Sequence, residues 1–212
     1  MDLIKTIMEF VFHIDKHLNV MIQNFGSWSY LLLFMIVFAE TGLVVTPFLP
    51  GDSLLFASGA LASNGSFDFW RLFIVLTAAA VIGDSVNYAI GKAIGHRVFE
   101  EGHSRIFKKE YLDRTHRFYE KYGGKTIILA RFVPIVRTFA PFVAGVGRMN
   151  YGYFFLYNVT GALLWVSVFV GGGFYFGNVP IVKEHFSIVI FAIVVISILP
   201  AAVEVWRHRR TK

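Results

Sequence analysis

The sequence has no cysteine, which excludes disulfides and thiolate metal sites and leaves the redox compartment undetermined. Charge is scarce as well. Asp, Glu, Lys and Arg make up 16% of the 212 residues against 56% hydrophobic, and several stretches of about 18 or more residues carry almost none, which soluble helices seldom do. Proline occurs six times, and four of the six (Pro47, Pro50, Pro134, Pro141) fall inside the short apolar segments 47–63 and 127–147, where each removes a backbone donor. A cleavable secretory signal is not expected: Glu9, His13 and Asp15 interrupt the first apolar run and no small-residue cleavage site follows. Ile4, Ile7, Met8, Val11, Phe12, Ile14, Leu18 and Met21 instead recur at helical spacing opposite Lys5, Glu9, Asp15 and Lys16, so residues 1–25 read as an amphipathic interfacial helix.

What the chain does have is apolar length. Residues 28–46, 72–94, 153–176 and 186–206 can each cross a bilayer as a helix. Residues 47–63 and 127–147 are apolar but short, charged and broken by proline and glycine, and read as re-entrant hairpins; irregular backbone at membrane depth must sit inside protein or against a wet cavity. The expected fold is therefore an all-α membrane protein. It has about four transmembrane helices and two oppositely oriented re-entrant hairpins, in one domain over residues 1–212. A first half, 28–95, and a second half, 127–177, flank a basic loop at 96–125, and a tail at 207–212 follows the last helix. The formal net charge of +6 is concentrated at residues 92–125 and Trp206–Lys212, beside hydrophobic spans, which suits anionic headgroups and not nucleic acid. The same bias makes that loop and the C-terminus cytoplasmic.

Residues 67–95 and 149–177, offset by 82, share Phe73/Phe155, Ala80/Ala162, Ser85/Ser167, Val86/Val168, Gly91/Gly173 and Gly95/Gly177. Six identities in 29 positions are a weak signal, but they support an inverted repeat.

Five ionisable residues lie in apolar regions: Glu40, Asp52, Asp84, Arg131 and Arg137. An unpaired charge at a helix centre costs about 2.5–3.5 kcal/mol, and four would consume most of an ordinary stability of about 5–15 kcal/mol. They must pair, face a wet chamber or lie near an interface. Arg131 and Arg137 stand six apart with Pro134 between them, so a proline-broken hairpin can bring their forked donors together on phosphate oxygens. The competing reading is a clamp in which the arginines only neutralise Glu40 or Asp52. Those acids could equally exchange protons across the membrane, and Asp52, behind Pro50 and Gly51, could simply cap a helix starting near Ser53. Asp84, Asn87, Tyr88, Gly91 and Gly95 share a helical face that reads as packing and interhelical hydrogen bonding, a secondary polar face.

The segments FAETGLVVTPFLPGDSLLFASGALA (38–62) and GGKTIILARFVPIVRTFAPFVAGVG (123–147) resemble the DedA family of bacterial inner-membrane proteins, nearly along the whole chain. The resemblance implies two oppositely oriented re-entrant helices. It also implies that Glu40, Asp52, Arg131 and Arg137 are the family's required acids and arginines; Pro47, Pro50, Gly51, Pro134, Pro141 and Gly145 are, from the sequence itself, the residues that break the hairpins. It further implies lipid transport, since members recycle undecaprenyl phosphate and related eukaryotic domains scramble phospholipids. The expectation is a multi-pass inner-membrane translocase for a phosphate-headed lipid, most fittingly undecaprenyl phosphate, using protons and no cofactor, metal or nucleic acid; its oligomeric state is open. Phospholipid movement uses the same arginines, whereas proton-coupled antiport of a cation or drug has to overcome their repulsion. A membrane phosphatase lacks its histidine nucleophile, because His13, His17, His96, His103, His116, His185 and His208 all lie in polar or interfacial segments, so no enzyme is expected. A purely structural factor has no clear use for four buried charges.

Overall fold

The computed structural model describes residues 26–43, 51–101 and 123–180, with isolated positions at 182, 188, 189, 192 and 193. Pro47, Pro50, most of the basic loop, the expected interfacial helix, most of the last transmembrane helix and the tail lie outside the described residues. Everything regular within them is helical: α1 (Trp28–Gly42), α2 (Gly51–Ser63), α3 (Phe69–Glu101), α4 (Lys125–Ala130), α5 (Pro134–Val146) and α6 (Tyr151–Val166), which continues through a π-turn at Ser167–Gly171 into α7 (Gly172–Phe176).

The two longest helices begin alike. Asp68 Oδ1 accepts the Arg71 N–H at 2.8 Å and caps α3, and Asn150 Oδ1 accepts the Gly152 N–H at 2.9 Å and caps α6. These caps stand at the offset of 82 seen in the sequence. Phe69–Ile94 and Tyr151–Phe176 are each 26 apolar residues, about 39 Å at the α-helical rise, enough to span a hydrocarbon core of about 30 Å. Large apolar side chains on both stand exposed, among them Trp70, Ile74, Tyr153, Leu156 and Val168, as helices facing lipid allow. α3 is longer than expected and carries on through the first residues assigned to the basic loop.

The chain forms two compact units, which interleave along the sequence and do not follow its two halves. The first takes residues up to Ile36, Phe48–Ala78 and Leu164 onward; the second takes Val37–Pro47 and Ala79–Leu163. In the first, α2 packs on the π-turn and α7 around Leu54, Leu55, Ala57, Trp165 and Val170. In the second, Tyr88, Ile127, Ala130, Ala140, Ala144 and Phe154 form one buried cluster.

The starts of α1 and α3 are tied to each other. The Asp68 N–H, at the start of α3, donates to the Tyr30 hydroxyl near the start of α1 at 2.8 Å, and the rings of Tyr30 and Phe67 meet edge to face at 5.1 Å. The two helices therefore begin together. Between them the chain goes out along the 15 residues of α1 and comes back along the 13 of α2. Each limb is about 20 Å, too short to span the core alone.

Within each unit the helices meet through glycine. A Cβ at Gly145 would lie 2.1 Å from the Tyr88 carbonyl oxygen and one at Gly91 would lie 2.1 Å from that of Phe142. In the other unit a Cβ at Gly59 would lie 2.2 Å from the Val170 oxygen and one at Gly173 would lie 2.0 Å from that of Phe56. Phe56 and Gly59 stand to Val170 and Gly173 as Phe142 and Gly145 stand to Tyr88 and Gly91, so the duplication in sequence has a counterpart in packing. Backbone contact this close suits helices that cannot rely on a hydrophobic difference between protein and lipid. Alanine at Gly91 or Gly173 should destabilise by about 1–3 kcal/mol through overpacking, while alanine at Gly172, where nothing lies within 4 Å, should be tolerated. Thermal unfolding in detergent reads the difference.

Candidate functional site

Arg131 and Arg137 flank the break between α4 and α5. α4 ends at Ala130, Val133 is extended (φ −118°, ψ 107°), and Pro134 opens α5 as its first residue. The proline explains both: it disfavours helical backbone in the residue before it, and its fixed φ suits a helix start. Arg131 thus sits at the C-terminal end of one short helix and Arg137 in the first turns of the next, its N–H bonded to the Val133 carbonyl at 2.9 Å. Pro141, inside α5, supplies no N–H to the Arg137 carbonyl.

Both side chains are buried, and each engages its own acid. Arg131 Nη2 donates to Asp84 Oδ2 on α3 and, at 2.6 Å, to Asn158 Oδ1 on α6. Arg137 Nη2 donates to Glu40 Oε1, near the end of α1, where Glu40 is fully buried. All five of these residues belong to the second unit.

Neutral groups set the geometry. Asn158 is fixed to α3 by its own amide nitrogen, which donates to the Val81 carbonyl at 3.0 Å and to Ser85 Oγ at 3.4 Å. Gly161, one turn further along α6, leaves room for the stem of Arg131: a Cβ there would lie 3.4 Å from Arg131 Nε. The other ion pair is fastened through the residues that follow it. Asn87 Nδ2 donates to the Thr41 carbonyl at 3.1 Å and to the Thr138 carbonyl at 2.8 Å, so one amide ties together the positions next to Glu40 and Arg137. α1 and α3 come close there because Gly42 faces Gly83, with a Cβ at Gly42 only 3.3 Å from the Gly83 Cα. Tyr88 donates its hydroxyl to the Met149 carbonyl and stacks on Phe154 at 4.5 Å.

Asp52 lies in the first unit. It falls within the first described turn of α2 (Gly51–Ser63), where a carboxylate favours the helix dipole. Its Oδ1 accepts the indole N–H of Trp165 at 2.9 Å. Among the described residues no group of three or more His, Cys, Asp or Glu side chains is placed to hold a metal ion.

Of the residues the sequence singles out, the structure brings Arg137 onto Glu40 and Arg131 onto Asp84, while Asn87 and Tyr88 hydrogen-bond from α3 to other elements. Asn158 and Trp165 were missed. Their signal was a lone amide and a lone indole N–H in the apolar run of α6, polar groups that in lipid need a partner inside the protein.

Helices whose apolar faces turn outward around buried ion pairs define an integral membrane protein. The VTT domain model matches residues 49–175, and the chain belongs to the VTT-domain (DedA) family. It is 54% identical over 212 residues to Protein DedA of Escherichia coli, covering 99% of this chain and 97% of that one. It is 44% identical over 191 residues to an uncharacterized membrane protein of Mycobacterium tuberculosis, covering 88% of this chain and 84% of its relative. It is 33% identical over 156 residues to the Escherichia coli inner membrane protein YqjA, covering 74% and 71% respectively. No solved structure matches the chain.

Removing one partner of a buried pair leaves a charge behind and costs about 3–5 kcal/mol. Glu40→Ala and Arg137→Ala should each lower stability on that scale, and the double variant should cost less than the sum by more than about 1 kcal/mol. Thermal unfolding of the four proteins in one detergent completes the cycle.

Proposed function

We propose that this protein translocates a phosphate-headed lipid across the bacterial inner membrane, most fittingly undecaprenyl phosphate for reuse in envelope synthesis, with the proton motive force as the coupled gradient. The observation that carries the reading is the pair of guanidinium groups buried at a proline break, each on its own carboxylate. Guanidinium keeps its charge at any relevant pH, and its planar fork matches phosphate oxygens, so Arg131 and Arg137 are the residues that receive the headgroup while the hydrocarbon chain stays in lipid. Glu40, released from Arg137, and Asp52, released from Trp165, are the groups that exchange protons. Transport on this reading breaks no covalent bond, so the protein is not an enzyme.

The segments 47–63 and 127–147 are taken as re-entrant, entering and leaving the bilayer on one face. The short limb of α2, which ends close to the start of α3, supports this for the first, and the short broken limbs of α4 and α5 support it for the second. Their opposite orientations, an inverted repeat, rest on the charge bias, which also assigns the basic loop and the C-terminal tail to the cytoplasm. The relative YqjA is named an inner membrane protein, in keeping with that location. Phospholipids carry the same phosphate chemistry and are the alternative cargo.

Purified protein in liposomes should move labelled undecaprenyl phosphate between leaflets faster than empty liposomes do, and faster than it moves labelled phospholipid. Movement no faster than in empty liposomes rejects the reading; faster phospholipid movement reassigns the cargo. Arg131→Ala and Arg137→Ala, each losing a charge-assisted hydrogen bond of about 1.5–3 kcal/mol, should slow movement by about 10- to 100-fold. With an imposed pH gradient, Glu40→Gln and Asp52→Asn should flatten the rate dependence; an unchanged dependence removes either acid from the coupling.

A further inference from the structure

Asp84 has no part in the function proposed above, yet it holds one of the two arginines assigned to the phosphate. It stands 15 residues after Phe69 and 10 before Ile94 in the apolar span of α3, about 22 Å and 15 Å from the ends by helical rise, deep in the hydrocarbon. The carboxylate and Arg131 balance each other there. A phosphate monoester arriving at Arg131 would leave the buried cluster with net negative charge for as long as Asp84 stays ionised. Charge in lipid is costly, so the balanced alternatives are Arg131 with carboxylate, or Arg131 with a phosphate monoanion and a neutral carboxyl.

The surroundings favour such an exchange. Asn158 Oδ1 holds the same Nη2 that Asp84 holds, and Asn158 is itself fixed to Val81 and Ser85. The guanidinium therefore keeps a neutral anchor when the carboxylate lets go. Among the described residues, the charged group facing Asp84 is Arg131, from the end of α4. α6 contributes the neutral Asn158, α1 contributes Glu40, which Arg137 engages, and Tyr88 on the next turn of α3 is committed to the Met149 carbonyl.

Resting on the phosphate reading of Arg131, we propose that Asp84 is a proton-coupling residue: its carboxylate and a phosphate monoester compete for Arg131, and Asp84 takes up one proton from water whenever the phosphate replaces it. The phosphate can come from a lipid headgroup or from free inorganic phosphate. An uncoupled Asp84 would leave phosphate binding indifferent to its ionisation, whereas a coupled one makes affinity rise about tenfold for each pH unit lowered, per proton taken up.

The test adds decyl phosphate or inorganic phosphate to the full-length protein in weakly buffered detergent and records binding by calorimetry and proton uptake with a pH-indicator dye. Uptake with decyl phosphate alone supports the proposal with a lipid as source; equal uptake with inorganic phosphate supports it with an aqueous source. Infrared difference spectra should show the carbonyl stretch of a newly protonated carboxylic acid on binding, and Asp84→Glu, which keeps the titratable group, should shift that band. Asp84→Asn should take up one proton fewer and lose about tenfold of its affinity change per pH unit. Binding without proton uptake overturns the proposal while leaving the phosphate reading intact, as does a band unmoved by Asp84→Glu or uptake unchanged in Asp84→Asn. Should Asp84→Asn not fold, the wild-type uptake and the Asp84→Glu spectrum still decide. No binding of either phosphate fails the functional reading itself.

Discussion

A guanidinium cannot be left uncompensated in hydrocarbon, and the second unit is arranged around meeting that requirement twice. Arg131 draws Asp84 and Asn158 onto one donor nitrogen; Arg137 draws Glu40. To bring these groups within reach, α1, α3, α6 and the broken α4–α5 segment must all converge. Glycine makes that convergence sterically possible at Gly42 with Gly83, at Gly91 with Phe142 and at Gly161 beside Arg131. Neutral amides then hold it: Asn87 ties the end of α1 and the early turns of α5 to α3, and Asn158 ties α6 to the same helix. Electrostatics sets which helices meet, small residues set how closely, and amides fix the register.

The first unit solves a gentler problem. Its buried acid, Asp52, is matched to an indole N–H and sits in the first turn of α2, where the helix dipole also favours negative charge. The same glycine contacts recur there, and among the described residues without a buried arginine, Gly59 on Val170 and Gly173 on Phe56. One packing scheme therefore serves two units, and the guanidinium chemistry is an addition to one of them.

Much of this was legible in the sequence. The buried charges announced themselves by being expensive where they stood, the proline break at Pro134 was visible between the two arginines, and the offset of 82 carried through to matching caps at Asp68 and Asn150. Pairing was harder to read. Glu40 precedes Asp52 by 12 residues and was grouped with it, yet the two fall in different compact units, because spacing along a chain that goes out and back says little about neighbours in space. Asp84 looked like one more polar residue on a packing face; only the fold reveals that Arg131 reaches it. The contact of Tyr30 with the start of α3 is likewise a tertiary fact that composition does not carry.

The glycine contacts also govern how a mutational survey of this protein should be read. At Gly59, Gly91, Gly145 and Gly173 a helix backbone occupies the volume any side chain would need. These positions should prove as intolerant of replacement as the buried ions while touching no cargo and no proton. A map of inactivating substitutions will therefore contain two superimposed patterns, one of chemistry and one of shape. Ranking residues by loss of activity alone cannot tell them apart; protein abundance in the membrane, measured beside activity, can.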